Sequence, residues 1–450
     1  YKNFPADKFG LQAGDVILEI NEIKIIDSTV QAVSELLKGT PGTAVNVKIQ
    51  RKNNQVQVFN IIREKIHVPS VPFSGLLDSN IGYVKLKRFT KNCAKEVGEA
   101  IDALSAKTKL NGLILDLRSN PGGLLNESIN ISNMFIEKNQ TVVTTSGKNV
   151  EWDKNYVTKK EPKYPELPII VLVNGASASA SEIVAGAMQD LDRGVILGNK
   201  TYGKGLVQQS RKLNYNSRLK VTVAKYYTPS GRCIQDAVKT QDYNSYLEQT
   251  DETNAPDSLR NEFTTHAGRK VYDGGGIDPD IKIEPLDYPE VLWQLIRENY
   301  IFKFANLIDL EMIQQDSINK FILPESTYDE FVEYLEDQKF TFNINDEYII
   351  DEIENNLQEL TQEDLNLEQI YEAVEVLKKE ISNKKQEDIK EHKVLINKYL
   401  NTHLIGRKFY ESGRIEYELE DDPYILEALS ILHDEEEYNQ ILTPSPNSKH

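Results

Sequence analysis

The segment Asn174-Gly175-Ala176-Ser177-Ala178-Ser179-Ala180-Ser181-Glu182 consists almost entirely of small residues and follows the apolar run Pro168–Val173. After it, Ile183-Val184-Ala185-Gly186-Ala187-Met188-Gln189-Asp190 reads as a helix. A tight turn between a buried strand and a helix start presents a hydroxyl beside unpaired backbone N–H groups, where a nucleophile is useful. Serines at such a place also act as plain helix caps, so the base decides between the two roles. The usual partner of a serine nucleophile is histidine. No histidine occurs between His67 and His266, which excludes a Ser-His-Asp triad drawn from this stretch. The remaining solution is a lysine whose pKa is lowered by burial, by as much as ~3–5 units when fully desolvated. Lys204, flanked by Gly203 and Gly205, is the candidate.

That lysine has a competing reading, because Gly198-Asn199-Lys200-Thr201-Tyr202-Gly203-Lys204 satisfies most of a phosphate-loop pattern. Gly205 stands where Ser or Thr would hold magnesium, and Gly205-Leu206-Val207-Gln208 carries no strong helix signal. Nucleotide binding is set aside on those grounds.

The elements that must position these residues follow from patterning. Residues 1–66 suggest a small α+β domain: Val16–Ile20, a helix from Ser28 to Leu37 behind the cap candidate Asp27, then Val45–Gln50 and Gln55–Ile62. From about 80 to 285, buried strands alternate with helices: Ile81–Phe89, a helix near Ala94–Ala106, Gly112–Leu117, Pro168–Val173, the helix beginning near Ser179, Val195–Gly198 and Leu219–Tyr227. That alternation argues for an α/β layer structure. From Asp287 onward the periodicity is helical, as in Ile370, Tyr371, Val374, Leu377 and Ile381. The Asn/Ser/Pro tail after Leu442 reads as disordered.

Composition sharpens the division. Of 450 residues, 52 are basic and 70 acidic, a net charge of −18. Residues 301–450 hold 35 acidic and 14 basic residues, net −21, leaving 38 basic and 35 acidic, net +3, in 1–300. An acidic chain is a poor partner for nucleic acid, which needs a basic surface. The longest apolar run, Ile169 to Val173, is far short of the ~20 residues of a membrane helix. The two cysteines, Cys93 and Cys233, supply neither a disulfide framework nor a zinc pattern.

Three separated motifs then become specific: Ser177-Ala178-Ser179-Ala180-Ser181-Glu182, Thr201-Tyr202-Gly203-Lys204-Gly205 and Leu115-Asp116-Leu117-Arg118-Ser119-Asn120-Pro121-Gly122-Gly123. Together they resemble the carboxyl-terminal processing (tail-specific) protease family. Tyr227-Thr228-Pro229-Ser230-Gly231-Arg232 and Gly274-Gly275-Gly276-Ile277-Asp278-Pro279-Asp280 are similar to further family segments. Gly10-Leu11-Gln12-Ala13-Gly14-Asp15-Val16-Ile17 resembles the core of a bacterial PDZ domain, without a counterpart of its Gly-rich carboxylate-binding strand. The resemblance implies an α/β fold: a crotonase/Clp-protease-like core over 67–286, a partial α+β PDZ domain over 1–66 and an acidic helical C-terminal region over 287–450.

It also implies a serine endopeptidase with Ser179 as nucleophile, Lys204 as general base and Gln208, one helical turn or a short loop further on, aligning the lysine amine. Asp190 matches a supporting aspartate. Ala180 and either Gly122 or Gly123 would supply the backbone donors of an oxyanion hole, since a glycine turn lets bare backbone approach the substrate. No cofactor and no metal are called for. The implied partner is a polypeptide substrate with a free C-terminus, with a homo-oligomer or adaptor protein left open. The implied location is the periplasm or cell envelope, with a targeting sequence removed ahead of Tyr1. The competing classes are a catalytically silent PDZ-bearing scaffold and a crotonase-type acyl-CoA enzyme. Residues 301–450 are expected to form a helical appendage for assembly or for framing the active-site entrance, dispensable to the Ser179–Lys204 chemistry.

Overall fold

The computed structural model describes residues 1–51, 54–78, 80–215, 217–236, 260–284, 288–312, 318, 323–342, 349–350, 352–353, 355–356 and 367–443. Residues 444–450, nearly all of the tail expected to be disordered, lie outside these. The chain forms two compact units, one of Tyr1–His67 with Leu286–Glu418 and one of Val68–Pro285 with Leu419–His450.

The first unit opens with the short helix α1 (Pro5–Lys8), then β1 (Val16–Ile20), β2 (Ile23–Lys24), α2 (Val30–Leu37), β3 (Ala44–Gln50) and β4 (Val56–Ile62). The strands pair antiparallel in the order β2-β1-β3-β4. Alternation in β3 turns Val45, Val47 and Ile49 inward onto Ile20 and Ile61. Thr29, rather than Asp27, caps α2: its Oγ1 accepts from Ala32 N–H at 3.2 Å, while Asp27 takes a positive φ in the preceding turn. The same unit contains helices over Glu290–Arg297, Tyr300–Ala305, Glu325–Asp337, Leu367–Glu391 and Lys393–Glu418 around Leu292, Leu295, Phe304, Phe331, Leu400 and Leu404. Of the apolar stripe read in 370–381, Val374 is buried and packs with Ile370 and Ile381, whereas Tyr371 and Leu377 stay exposed.

The second unit is built on a six-stranded sheet of order β14-β11-β10-β7-β6-β5, comprising β5 (Phe73–Leu77), β6 (Ile81–Lys85), β7 (Gly112–Asp116), β10 (Ile169–Val173), β11 (Val195–Gly198) and β14 (Ile281–Lys282). All neighbours run parallel except the edge pair β5–β6. Helices α3 (Cys93–Ser105), α4 (Leu125–Ser132) and α5 (Ala180–Asp190) pack on it, and β7 and β10 are buried along their whole length. Continuous apolar strands of this kind need cover on both faces. A second, antiparallel sheet has the order β12-β13-β8-β9, from β8 (Thr141–Gly147), β9 (Lys154–Val157), β12 (Leu206–Lys212) and β13 (Arg218–Tyr227).

The unit is completed by the helices Pro423–His433 and Glu435–Leu442. Ile425, Ile431, Leu432, Tyr438 and Leu442 are buried, and the Tyr438 hydroxyl accepts from Ile169 N–H at 3.0 Å and donates to Ile169 C=O at 3.2 Å. Residues 419–442 are therefore part of the α/β unit, not an appendage to it. The charge division near residue 301 does not register this, because apolar side chains carry the contact.

Candidate active site

Parallel pairing brings the C-terminal ends of β7, β10 and β11 to one edge of the sheet, where open α/β sheets form their sites. From these ends spring the segments 117–124, 174–179 and 199–205.

Ser179 is the N-cap of α5 and has φ 55° and ψ −111°, a conformation that crowds any side chain and raises the hydroxyl on a sharp strand-to-helix turn. The three serines of the motif separate cleanly. The Ser177 hydroxyl donates to Leu117 C=O at 2.8 Å and the Ser181 hydroxyl to Asn120 C=O at 2.9 Å, both fully buried. Ser179 is half-buried and closes a capping box with Glu182 at the start of α5, where its hydroxyl donates to neither of the carbonyls that hold Ser177 and Ser181.

Gly122, with φ +91°, lies against this turn so closely that a Cβ would stand 2.5 Å from Ala178 O and 2.8 Å from Ala180 N. Its own N–H donates to Asn120 Oδ1 at 2.9 Å. The N–H groups of Gly123 and Ala180 meet no protein acceptor among the described residues. Of the three backbone donors read from the sequence, these two are open.

The Lys204 loop is fixed by its backbone. Thr201 N–H donates to Ile277 C=O at 3.1 Å, and the Thr201 side-chain Oγ1 accepts from Ile277 N–H at 2.7 Å. Tyr202 N–H donates to Ser177 C=O at 3.0 Å, and Gly205 N–H to Gln235 Oε1 at 2.9 Å. Thr201, Gly203 and Gly205 are buried, but Lys204 is exposed, and among the described residues no hydrogen bond joins its amine to Ser179 or Gln208. The burial expected of a lysine base is not supplied by the protein alone, because the flanking glycines leave it no wall of side chains. Gln208 lies on β12, not on a helical turn or loop. It faces Thr222 at a β-bulge between Val207 and Gln208, and its side chain is exposed.

Glu182 is the residue that reading by motif left without a role. Its buried carboxylate accepts from Ser179 N–H at 2.7 Å and Lys204 N–H at 2.9 Å through Oε2, and from Gly203 N–H at 2.7 Å and Thr201 Oγ1 at 2.6 Å through Oε1. Burial pushes its pKa up despite these four donors. The available signal was a glutamate three residues after an N-cap serine, the spacing of a capping box.

Asp190 touches neither Ser179 nor Lys204. Its Oδ1 accepts from Arg232 at 2.7 Å and its Oδ2 from Ser230 N–H at 3.0 Å, with both ion-pair side chains fully buried. It is an anchor for the 227–232 turn rather than a surface acid.

At the end of β7, the buried Asp116 accepts from Arg118 Nη2 at 2.7 Å and from the Tyr83 hydroxyl at 2.7 Å, with Lys85 Nζ at 3.0 Å. Burial alone would raise this carboxyl, but the charges of Arg118 and Lys85 and the hydrogen bonds outweigh it and hold its pKa well below the ordinary range. The cluster stiffens the strand end from which Gly122 and Gly123 follow.

Comparison with known proteins finds the family description "Peptidase family S41" over residues 80–245, "PDZ domain" over 1–51 and "Probable PDZ-protease, C-terminal helical domain" over 291–432. A carboxy-terminal-processing protease of Bartonella bacilliformis is 39% identical over 242 residues, 53% of this chain and 55% of that one. A probable CtpA-like serine protease of Staphylococcus epidermidis is 32% identical over 339 residues, 74% of this chain and 66% of that one. The carboxy-terminal processing protease CtpA of Bacillus subtilis is 35% identical over 233 residues, 52% and 49% of the two chains. The chain thus spans between about half and two thirds of the length of these relatives. With a PDZ domain, a peptidase core and a helical domain following one another, and with the serine and lysine motifs at one sheet edge, the chain belongs to the carboxyl-terminal processing protease family, peptidase family S41.

Proposed function

We propose that the protein is a serine endopeptidase that cleaves polypeptides recognised through their C-terminal tails by the PDZ domain, working outside the cytoplasm in the periplasm or cell envelope. Ser179 Oγ attacks the scissile carbonyl carbon and its proton passes to the Lys204 amine. The carbonyl oxygen becomes an oxyanion held by the N–H groups of Gly123 and Ala180. Collapse of the tetrahedral intermediate expels the amine product, which takes the proton from Lys204 and leaves an acyl group on Ser179. Water, deprotonated by Lys204, then releases the second product by the same steps reversed.

The observation that supports this reading best is the Glu182 carboxylate, which ties the backbones of Ser179 and Lys204 to one pair of oxygens. Lys204 must lose its water shell to act as a base, and a polypeptide lying over the exposed loop supplies that desolvation. Gln208, exposed next to it on β12, is the group available to orient the amine once covered.

The test is release of fragments from an unstructured protein by the intact chain. Ser179→Ala should abolish it, and Lys204→Arg should be as inactive as Lys204→Ala, since a guanidinium retains its proton and cannot accept another. Comparable cleavage by Ser179→Ala would overturn the nucleophile. A wild-type chain that binds tails without cleaving them would favour the silent scaffold.

A further inference from the structure

Arg118 sits two residues beyond β7 and five before Gly123, and its guanidinium does more than pair with Asp116. Its Nη1 meets Asp422 Oδ2 at 2.7 Å, and its flat face lies 4.8 Å from the centre of the Tyr424 ring. The Tyr424 hydroxyl donates to Asn199 Oδ1, just past β11 and five residues before Lys204. Asn199 is fixed in turn, its N–H on Val173 C=O at 3.1 Å and its Nδ2 on Ile283 C=O at 2.6 Å. The Tyr424 ring also rests against Gly198, where a Cβ would lie 3.3 Å from Cε1. One short piece of chain from the far C-terminal region therefore joins the root of the Gly123 segment to the root of the Lys204 segment. Asp422 also caps its own helix by accepting from Tyr424 N–H at 2.9 Å, so the two latch residues are fixed relative to each other.

The charges match this role. Lys85 and Arg118 face Asp116 and Asp422, two cations against two carboxylates. The Arg118, Asp116 and Asp422 side chains are shielded, at 15%, 0% and 15% exposure. A shielded, bidentate and stacked arginine has little freedom to reorient. Rigid support matters at this place because oxyanion donors act only when held to within a fraction of an ångström.

We propose that Asp422 and Tyr424 are positioning residues that hold the Gly122-Gly123 segment and the Asn199–Lys204 segment in register for the cleavage reaction. The inference rests on the reading given under the proposed function, and its test separates the two. In the full chain, Asp422→Asn and Tyr424→Phe should each raise amide hydrogen exchange at least about threefold in peptides spanning 118–124 and 199–205. They should lower kcat on an unstructured protein about ten- to a hundredfold while leaving KM within about twofold. Asp422→Glu, which keeps a carboxylate, should recover much of kcat. Tyr424→Phe removes a single oxygen and guards against a failure of Asp422→Asn to fold. Unchanged exchange in both segments, or unchanged kcat in variants of a parent that cleaves, would overturn the positioning role, even if thermal stability falls. A parent chain that does not cleave would overturn the proposed reaction, and the exchange measurement would still decide the latch.

Discussion

Ser179 and Lys204, 25 residues apart in sequence, donate their backbone N–H groups to the same oxygen, Oε2 of Glu182, at 2.7 and 2.9 Å. The serine turn and the lysine loop are thereby held by one buried side chain. Glu182→Gln keeps the shape but leaves one carbonyl oxygen for donors that now use two, so one pair loses its acceptor. The expected outcome is a loss of about 10²-fold in kcat, with a lower midpoint of urea unfolding. Full activity in the glutamine variant would show that the two loops hold their places without it.

Glu182 and Asp116 should tilt the pH dependence of stability in opposite directions. Burial raises Glu182 above the usual 4.5, so its contribution is complete below that value and is lost as pH rises through the higher folded value. Asp116 is depressed below the usual 3.8, so its contribution is present above that value and is lost as pH falls toward the folded one. Between about pH 4 and 7, the stability of Glu182→Gln relative to the parent should therefore improve with rising pH. Asp116→Asn should lose most relative to the parent above about pH 4 and lose less below it. Urea titrations from about pH 3 to 7 measure both slopes, that of Asp116→Asn below about pH 4 and that of Glu182→Gln above it, and parallel slopes would refute the assignment.

Ser177→Ala and Ser181→Ala should harm folding more than chemistry. Each removes a buried hydroxyl donor from a main-chain carbonyl, Leu117 in one case and Asn120 in the other, with an expected destabilisation of about 1–3 kcal/mol. Turnover at 25 °C should stay within about tenfold of the parent, since neither hydroxyl faces the open side of the turn. Loss of cleavage comparable to Ser179→Ala, in a folded variant, would reassign the nucleophile.

Gly122→Ala is expected to damage the site even though Gly122 donates nothing to it. The new Cβ would stand 2.5 Å from Ala178 O, 2.8 Å from Ala180 N and 2.9 Å from the Ser179 Cβ, at a φ of +91° that alanine resists. The serine turn must shift, and kcat should fall by at least about 10²-fold. Retention of more than half of the parent kcat would show that the turn is not held by this contact.

A chain ending after Glu418 should not retain a folded core. The cut removes the buried Ile425, Ile431, Leu432, Tyr438 and Leu442, each contributing roughly 1.5–3 kcal/mol. Five such losses are comparable with the ~5–15 kcal/mol total stability of a domain. Insolubility or loss of cooperative unfolding is expected. A soluble truncated chain that still cleaves would show that these helices are accessory.

Local structure was legible in the sequence wherever a residue acts through its neighbours in the chain. A run of small residues after Pro168–Val173 announced the serine turn, and apolar runs separated by helical patterns announced the α/β layers. Period and composition are properties of short windows, so they survive without knowledge of contacts. Tertiary structure decided what crosses between distant segments. It took Gly122 N–H for Asn120 and left Gly123 and Ala180 open, set Lys204 at the surface, buried Asp190 on Arg232 and made Glu182 common to two loops. It also split a uniformly acidic, helical third of the chain, binding 419–442 into the α/β unit through side chains of Ile425, Leu432 and Tyr438. Which of several equivalent apolar stripes or polar groups finds a partner depends on where the rest of the chain lies, and no local pattern carries that information.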